Sequence, residues 1–134
     1  MTMLDIDLNE VKEKPRLPAD KYFTFAIKSA SVEMAKQPNK NTGKIEPYIK
    51  CELTPLEQDW PDYKVYHNWS LSPGALESPE PAFSIRKFFL VTEHPWGTDG
   101  KFSTEDLLAI RFVGTVKYKE GDSRPQLDKV MKAA

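Results

Sequence analysis

The sequence predicts a mainly β chain in which five strands curl into a small closed barrel, with one helix between the third and fourth strands. Three observations predict it. Residues Lys64–Leu71 alternate, with Val65, His67, Trp69 and Leu71 on one side and Tyr66, Asn68 and Ser70 on the other, the period of a half-buried strand. Two stretches of similar pattern precede it and two follow. Between the pairs, Ser78-Pro79-Glu80 has the composition of a helix start: a capping serine, a proline suited to the first helical position and an acid in the first turn.

The elements follow in order. Residues 1–18 form an N-terminal arm whose order the sequence leaves open: Leu4, Ile6, Leu8 and Val11 hint at a short extra strand, and Pro15 and Pro18 break its continuation. The first strand is read over Lys21–Glu33, with Phe23, Phe25 and Ile27 inward. Its parity then shifts to Ala30 and Val32, as across a bulge in a long coiled strand. Met34–Ile45 carries Pro38, Asn39, Asn41 and Gly43 without periodicity and reads as an exposed loop. The second strand, Tyr48–Leu53, turns Ile49, Cys51 and Leu53 inward, and Pro55 ends it. Ser72-Pro73-Gly74 closes the third. The helix buries Ala82, Ile85, Phe88 and Phe89 and runs to about Val91. Ser103-Thr104-Glu105-Asp106 opens a second short helix through Leu108. Strand four is read over Arg111–Lys119, with a bulge at Gly114, and strand five over Gln126–Met131. This order, β-β-β-α-β-β, is that of the OB barrel, and residues 19–132 are its expected extent.

Composition narrows the function. The 134 residues, 40% hydrophobic, suffice for one core and one domain. A net charge of −1 means that any nucleic-acid affinity has to come from a local patch. Cys51 is the single cysteine, which excludes an internal disulfide and a cysteine-cluster zinc site and suits a reducing cytosol. No apolar run approaches the roughly 20 residues of a membrane span. Acids and bases mix through residues 1–17, unlike a signal peptide, so a soluble intracellular protein is expected. Catalysis finds no constellation: His67 and His94 are the only histidines, and no phosphate-binding glycine loop or zinc-protease pair is present. His67 reads as a strand residue with one satisfied nitrogen. Glu52, Glu57, Asp59 and Asp62 lack the spacing of a metal loop and read as a solvated acidic segment. A non-enzymatic protein without metal or cofactor is expected.

Charge is segregated along the chain. The stretch Lys28–Lys50 carries Lys28, Lys36, Lys40, Lys44 and Lys50 against Glu33 and Glu46, a net +3. Lys117–Lys132, with Lys117, Lys119 and Arg124 among its bases, nets +2, whereas Glu77–Leu108 nets −3. In an OB barrel the loops after strands one and four border one binding face, and the helix caps one end of the barrel. Positive charge therefore falls where a phosphate backbone would run. Tyr22, Tyr48 and Tyr66 point outward from strands one to three, interleaved with Lys28, Lys50 and Asn68. Flat rings on which unstacked bases lie, with cations tracking the backbone, are the pattern of single-strand binding without base readout. That pattern serves DNA and RNA alike. Trp69 is assigned to the core, Trp60 to a loop anchor and Trp96 to a cover over the helix end or an exposed contact.

The chain also resembles phage single-stranded-DNA-binding proteins with an OB fold, found in replication and recombination gene clusters. The resemblance spans about Leu17–Met131. It lies in Leu17-Pro18-Ala19-Asp20-Lys21-Tyr22, Lys64-Val65-Tyr66, Arg86-Lys87-Phe88-Phe89, Ser103-Thr104-Glu105-Asp106-Leu107-Leu108 and Arg124-Pro125-Gln126-Leu127-Asp128-Lys129-Val130. It implies single-stranded DNA as the partner, work in phage replication or recombination beside other proteins of those processes, and the host cytoplasm as location. Two departures stand out. Leu108-Ala109-Ile110 replaces a glycine often found after the Glu-Asp-Leu segment, and Lys132-Ala133-Ala134 stands where many members carry an acidic recruiting tail. Recruitment through such a tail is not expected. The competing expectation is an OB-fold interaction module that holds a replication or recombination partner through Trp60, Trp96 or the acidic helical segment. Strand edges and the apolar arm allow a homodimer.

Overall fold

The computed structural model describes residues 2–10, 16–19, 21–94 and 96–133. Five antiparallel strands form one sheet in the order β3-β2-β1-β4-β5, with β1 at Phe23–Met34, β2 at Pro47–Pro55, β3 at Val65–Ser70, β4 at Arg111–Lys117 and β5 at Gln126–Lys132. The edge strands β3 and β5 approach within 8 Å between Cα atoms, yet no ladder joins them. The sheet is thus open, where the sequence led us to expect a closed barrel. Three short helices, α1 (Pro73–Leu76), α2 (Ile85–Thr92) and α3 (Thr104–Leu108), lie between β3 and β4. A single 3₁₀ turn, Leu8–Glu10, stands in the arm where alternation hinted at a strand. Val11 and Pro15 lie outside the described residues, as does Pro95.

Alternation sets the layers. Phe23, Phe25, Ile27, Ile49, Cys51, Leu53, Val65 and Trp69 are buried on one face, as their period-2 spacing requires. The β1–β2 register slips between Ile27/Leu53 and Ser29/Glu52, so Lys28 is the extra residue of a bulge and the inward parity passes to Ala30. Val32, expected inward, is exposed, because β1 beyond Ala26 keeps β2 as its strand neighbour while β4 has ended. The irregularity at Gly114 falls in the β4–β5 ladder, with the added residue on β5: Gly114 faces Val130 and Val116 faces Leu127. A Cβ at Gly114 would stand 2.7 Å from the Lys129 carbonyl oxygen, so the close approach of β5 requires glycine there. The Lys129 N–H left over by the slip donates to Thr115 Oγ1 at 3.2 Å.

Helix α2 covers the inner face. Ile85, Phe88, Phe89 and Thr92 recur at one side of the helix and are buried. Phe88 meets Trp69 at 4.8 Å and Phe112 at 5.1 Å between ring centroids, and Phe112 stacks on Phe25 at 5.5 Å. The helix starts at Ile85, later than Ser78-Pro79-Glu80 promised. Ser78 Oγ only accepts from the Glu80 N–H, closing a local turn, while Ser84 Oγ accepts from the Lys87 N–H and donates to the Leu76 carbonyl. Tertiary anchoring of Ser84, which is fully buried, decides the start. Asp106 Oδ2 accepts from the Ser103 N–H at 2.8 Å and opens α3 as expected.

Candidate functional site

A groove of about 1260 Å³ lies between the edge strand β3 and the β4–β5 loop. Its β3 side presents Tyr66 and Asn68, the outward positions of a strand whose inward positions are Val65 and Trp69. Tyr66 is 57% exposed. Facing it is the loop segment Asp122–Gln126, and the walls are completed by Arg16 and by Pro61–Lys64 ahead of β3.

The cationic wall is held in place by local bonds. Gly121 supplies the positive φ, 77°, that turns the loop, and the Asp122 N–H donates to the Lys119 carbonyl at 2.9 Å. Asp122 then accepts from Arg124 three times, from its backbone N–H at 2.8 Å and from Nε and Nη2 at 3.2 Å. These bonds hold the Asp122 carboxyl below its ordinary range and raise the Arg124 guanidinium. Arg16 reaches the same loop: its Nη2 donates to the Asp122 carbonyl at 3.2 Å, and its guanidinium lies over the Tyr118 ring at 4.2 Å. Tyr118 donates its hydroxyl to the Leu17 carbonyl at 2.7 Å. Burial, then the neighbouring Tyr63, pushes the Tyr118 hydroxyl up, with Arg16 pulling the other way. The buried Leu17 side chain fixes the arm at this point.

Charge in the groove is mixed. Arg16, Lys64 and Arg124 face Asp62 and Asp122. Lys28 pairs with Asp62 at 3.6 Å and Lys64 with the half-buried Glu52 at 4.0 Å, surface contacts that stabilise by about 0–1 kcal/mol.

Of the residues singled out in the sequence, Tyr66, Asn68 and Arg124 meet in the groove, and Lys28 touches its wall through Asp62. Lys50 pairs across the ladder with Asn68, and Tyr48 with Ser70, so both continue the outward face of β2 and β3 away from the groove. Lys36, Lys40 and Lys44 lie exposed on the β1–β2 loop, at the Tyr48 end of that face. Tyr22, exposed just before β1, precedes the pairing of β1 with β4 and lies off the β2–β3 ladder that carries Tyr48 and Tyr66. Lys117 pairs with Asp128 at 3.6 Å, and Lys119 is exposed in the β4–β5 loop. Arg16, Tyr63 and Lys64 are groove residues that sequence reasoning missed. The signal for Arg16 was its place before Leu17, an apolar residue at the mouth of the first strand.

The remaining candidates are structural. Trp69 is buried and its Nε1 donates to the Pro81 carbonyl at 2.9 Å. Trp60 packs edge-on to Phe23 and Tyr63, and Trp96 covers α2 through Phe89 with Arg86 over its ring. His67 Nε2 donates to the Ala82 carbonyl at 2.8 Å, and burial lowers its imidazole to about 4, so it is neutral at pH 7. Burial pushes the Cys51 thiol up to about 12, which keeps it protonated. Among the described residues, no group of three or more His, Cys, Asp or Glu converges to hold a metal ion, and no helix is long and apolar enough to cross a membrane. No family model, curated protein or solved structure matches the chain.

Proposed function

We propose that this chain is a non-enzymatic protein that binds single-stranded DNA without sequence preference, of the kind that serves phage replication or recombination in the host cytoplasm. The observation that carries the reading is the groove in which exposed Tyr66 and Asn68 on β3 face Arg16 and Arg124. A ring open to solvent offers a base a stacking surface, and guanidinium groups lining the same groove offer charge-assisted hydrogen bonds to phosphate. The track continues along the outward face past Lys50 and Tyr48 to the lysines of the β1–β2 loop. Lys36, Lys40, Lys44 and Lys50 form no ion pair among the described residues, so their charge is available to phosphate.

The same reading takes the open sheet as an OB-type barrel. Its support is the strand order β3-β2-β1-β4-β5 together with the approach of β3 and β5, between which one further ladder would complete closure. The resemblance of the sequence to phage single-strand binders agrees with it.

The test is competition for a fluorescent thymidine oligomer by unlabelled DNA of mixed sequence, RNA and duplex DNA of equal length. Single-stranded DNA of either sequence should compete alike and duplex poorly. Absence of binding to the oligomer, or preference for duplex, overturns the proposal. A second reading, a protein-interaction module, draws on Phe83 and Leu90, which are exposed in the acidic segment before and along α2. Capture of a replication or recombination protein that survives nuclease and high salt, and is lost in Phe83→Asp, would favour it.

A further inference from the structure

An acid in a groove that takes phosphate ordinarily weakens it, because like charges repel. Asp62 and Asp122 both line the groove, and their surroundings differ. The Asp62 side chain is 91% exposed, and its ion pair among the described residues is the loose one with Lys28 at 3.6 Å. Asp122 instead lies beneath its partner: its side chain is 22% exposed, against 86% for Arg124. Its Oδ1 accepts from the Arg124 N–H at 2.8 Å and from Nε at 3.2 Å, and its Oδ2 accepts from Nη2 at 3.2 Å. The carbonyl of the same residue accepts from Arg16 Nη2 at 3.2 Å, so Asp122 fixes both guanidinium groups of the wall.

A guanidinium grips an anion with paired N–H groups along an edge, either the side edge of Nε and Nη2 or the end edge of Nη1 and Nη2. Asp122 takes the side edge of Arg124. Nη1 and the second Nη2 hydrogen make no hydrogen bond among the described residues, which leaves the end edge free. We infer that the Asp122 carboxylate is a positioning residue of the single-strand site: it holds Arg124 by one edge so that the other grips an internucleotide phosphate in the groove that Tyr66 lines. This role rests on the single-strand reading of the groove. An unheld side chain as exposed as Arg124 gives up its rotamer freedom on binding, which costs about 2- to 12-fold in affinity, and Asp122 removes that cost beforehand. Repulsion between one carboxylate and a phosphate ~6 Å away through water amounts to about 2-fold at physiological salt. The hold therefore outweighs the repulsion. The bonds from Arg124 also keep the carboxyl below its ordinary range, so the hold persists at neutral pH.

The test is a double-mutant cycle on the full chain, read as Kd for a labelled thymidine oligomer at physiological salt. It compares the wild type, Asp122→Asn, Arg124→Ala and the double variant, with Asp62→Asn as the ordinary acid. Asparagine at position 122 keeps an Oδ1 for the Arg124 N–H, so the loop turn stays, and sets an amide NH2 against Nη2, so the side-chain hold is lost. Circular dichroism checks folding. Asp122→Asn should bind about 2- to 6-fold more weakly than the wild type although it removes a negative charge, whereas Asp62→Asn should bind about 2-fold more tightly. In the Arg124→Ala background nothing is left to hold, and Asp122→Asn should tighten binding by about 2-fold. A loop merely destabilised by the substitution would show no such reversal of sign. Binding by Asp122→Asn as tight as the wild type or tighter, equal weakening with and without Arg124, or weakening of equal size in Asp62→Asn overturns the positioning role alone. A wild type that does not bind the oligomer overturns the function on which that role rests.

Discussion

Acid should weaken this fold through His67. The imidazole sits edge-on to Trp69 at 4.5 Å, its Nε2 donating to the Ala82 carbonyl, and burial lowers it from 6.5 to about 4. Since the folded value lies below the unfolded one, the unfolded chain takes up the proton first. The stability associated with neutral His67 is complete above about pH 6.5 and is lost as pH falls toward about 4. Linkage between those values gives a loss of about 2 kcal/mol by pH 5 and about 3 kcal/mol by pH 4. Urea unfolding at pH 8 and pH 5 measures it: with a slope of about 1–3 kcal/mol per molar, the wild-type midpoint should drop by roughly 0.7–2 M. In His67→Gln, which keeps a donor for Ala82 and carries no titrating ring, the midpoint should move far less. Equal pH dependence in the two proteins would refute the assignment of a buried neutral imidazole.

Other perturbations test the packing and the site. Trp69→Ala removes the ring against Phe88 and the bond to Pro81, and chemical denaturation should record a loss of about 3–5 kcal/mol. Gly114→Ala forces a Cβ to within 2.7 Å of the Lys129 carbonyl, so β4 and β5 must part at a cost of about 1–3 kcal/mol, visible as faster amide exchange in that ladder. The Cys51 thiol, fully buried and held protonated, should ignore a thiol reagent in buffer and react once urea unfolds the chain. Arg124→Ala should reduce the salt dependence of oligonucleotide binding by about one phosphate contact while leaving the fold intact.

Much of the fold was legible because period-2 alternation is a local signal. Ile49, Cys51 and Leu53, like Val65 and Trp69, lie on the buried face that their parity assigned, and the parity break after Ile27 located the Lys28 bulge. Other features are decided by contacts distant in sequence. Ser78 and Ser84 both precede residues able to start a helix, and only the burial of Ser84 against Leu76 distinguishes them. Val32 continues an inward parity, but nothing in its own segment reveals that the covering layer ends before it. For the site, the outward parity of Tyr66 and Asn68 was readable. The groove was not, since it needs the arm at Arg16 and the loop at Arg124, over a hundred residues apart, to meet at Asp122. Tyr22, Tyr48 and Tyr66 share an outward parity, yet strand order separates Tyr22, which precedes the pairing of β1 with β4, from the pair on β2 and β3.

The central claim, that single-stranded DNA lies in the groove between β3 and the β4–β5 loop, is tested most directly by one titration. A labelled thymidine oligomer would be titrated, at low and high salt, with the wild type and with Tyr66→Ala/Arg124→Ala. Loss of the Tyr66 ring alone should weaken binding by about 1–3 kcal/mol, roughly 5- to 160-fold in Kd. The account predicts wild-type binding that weakens with salt and nearly vanishes in the still-folded double variant. Binding by the variant that equals the wild type at both salt concentrations, or no binding by the wild type at low salt, would contradict it.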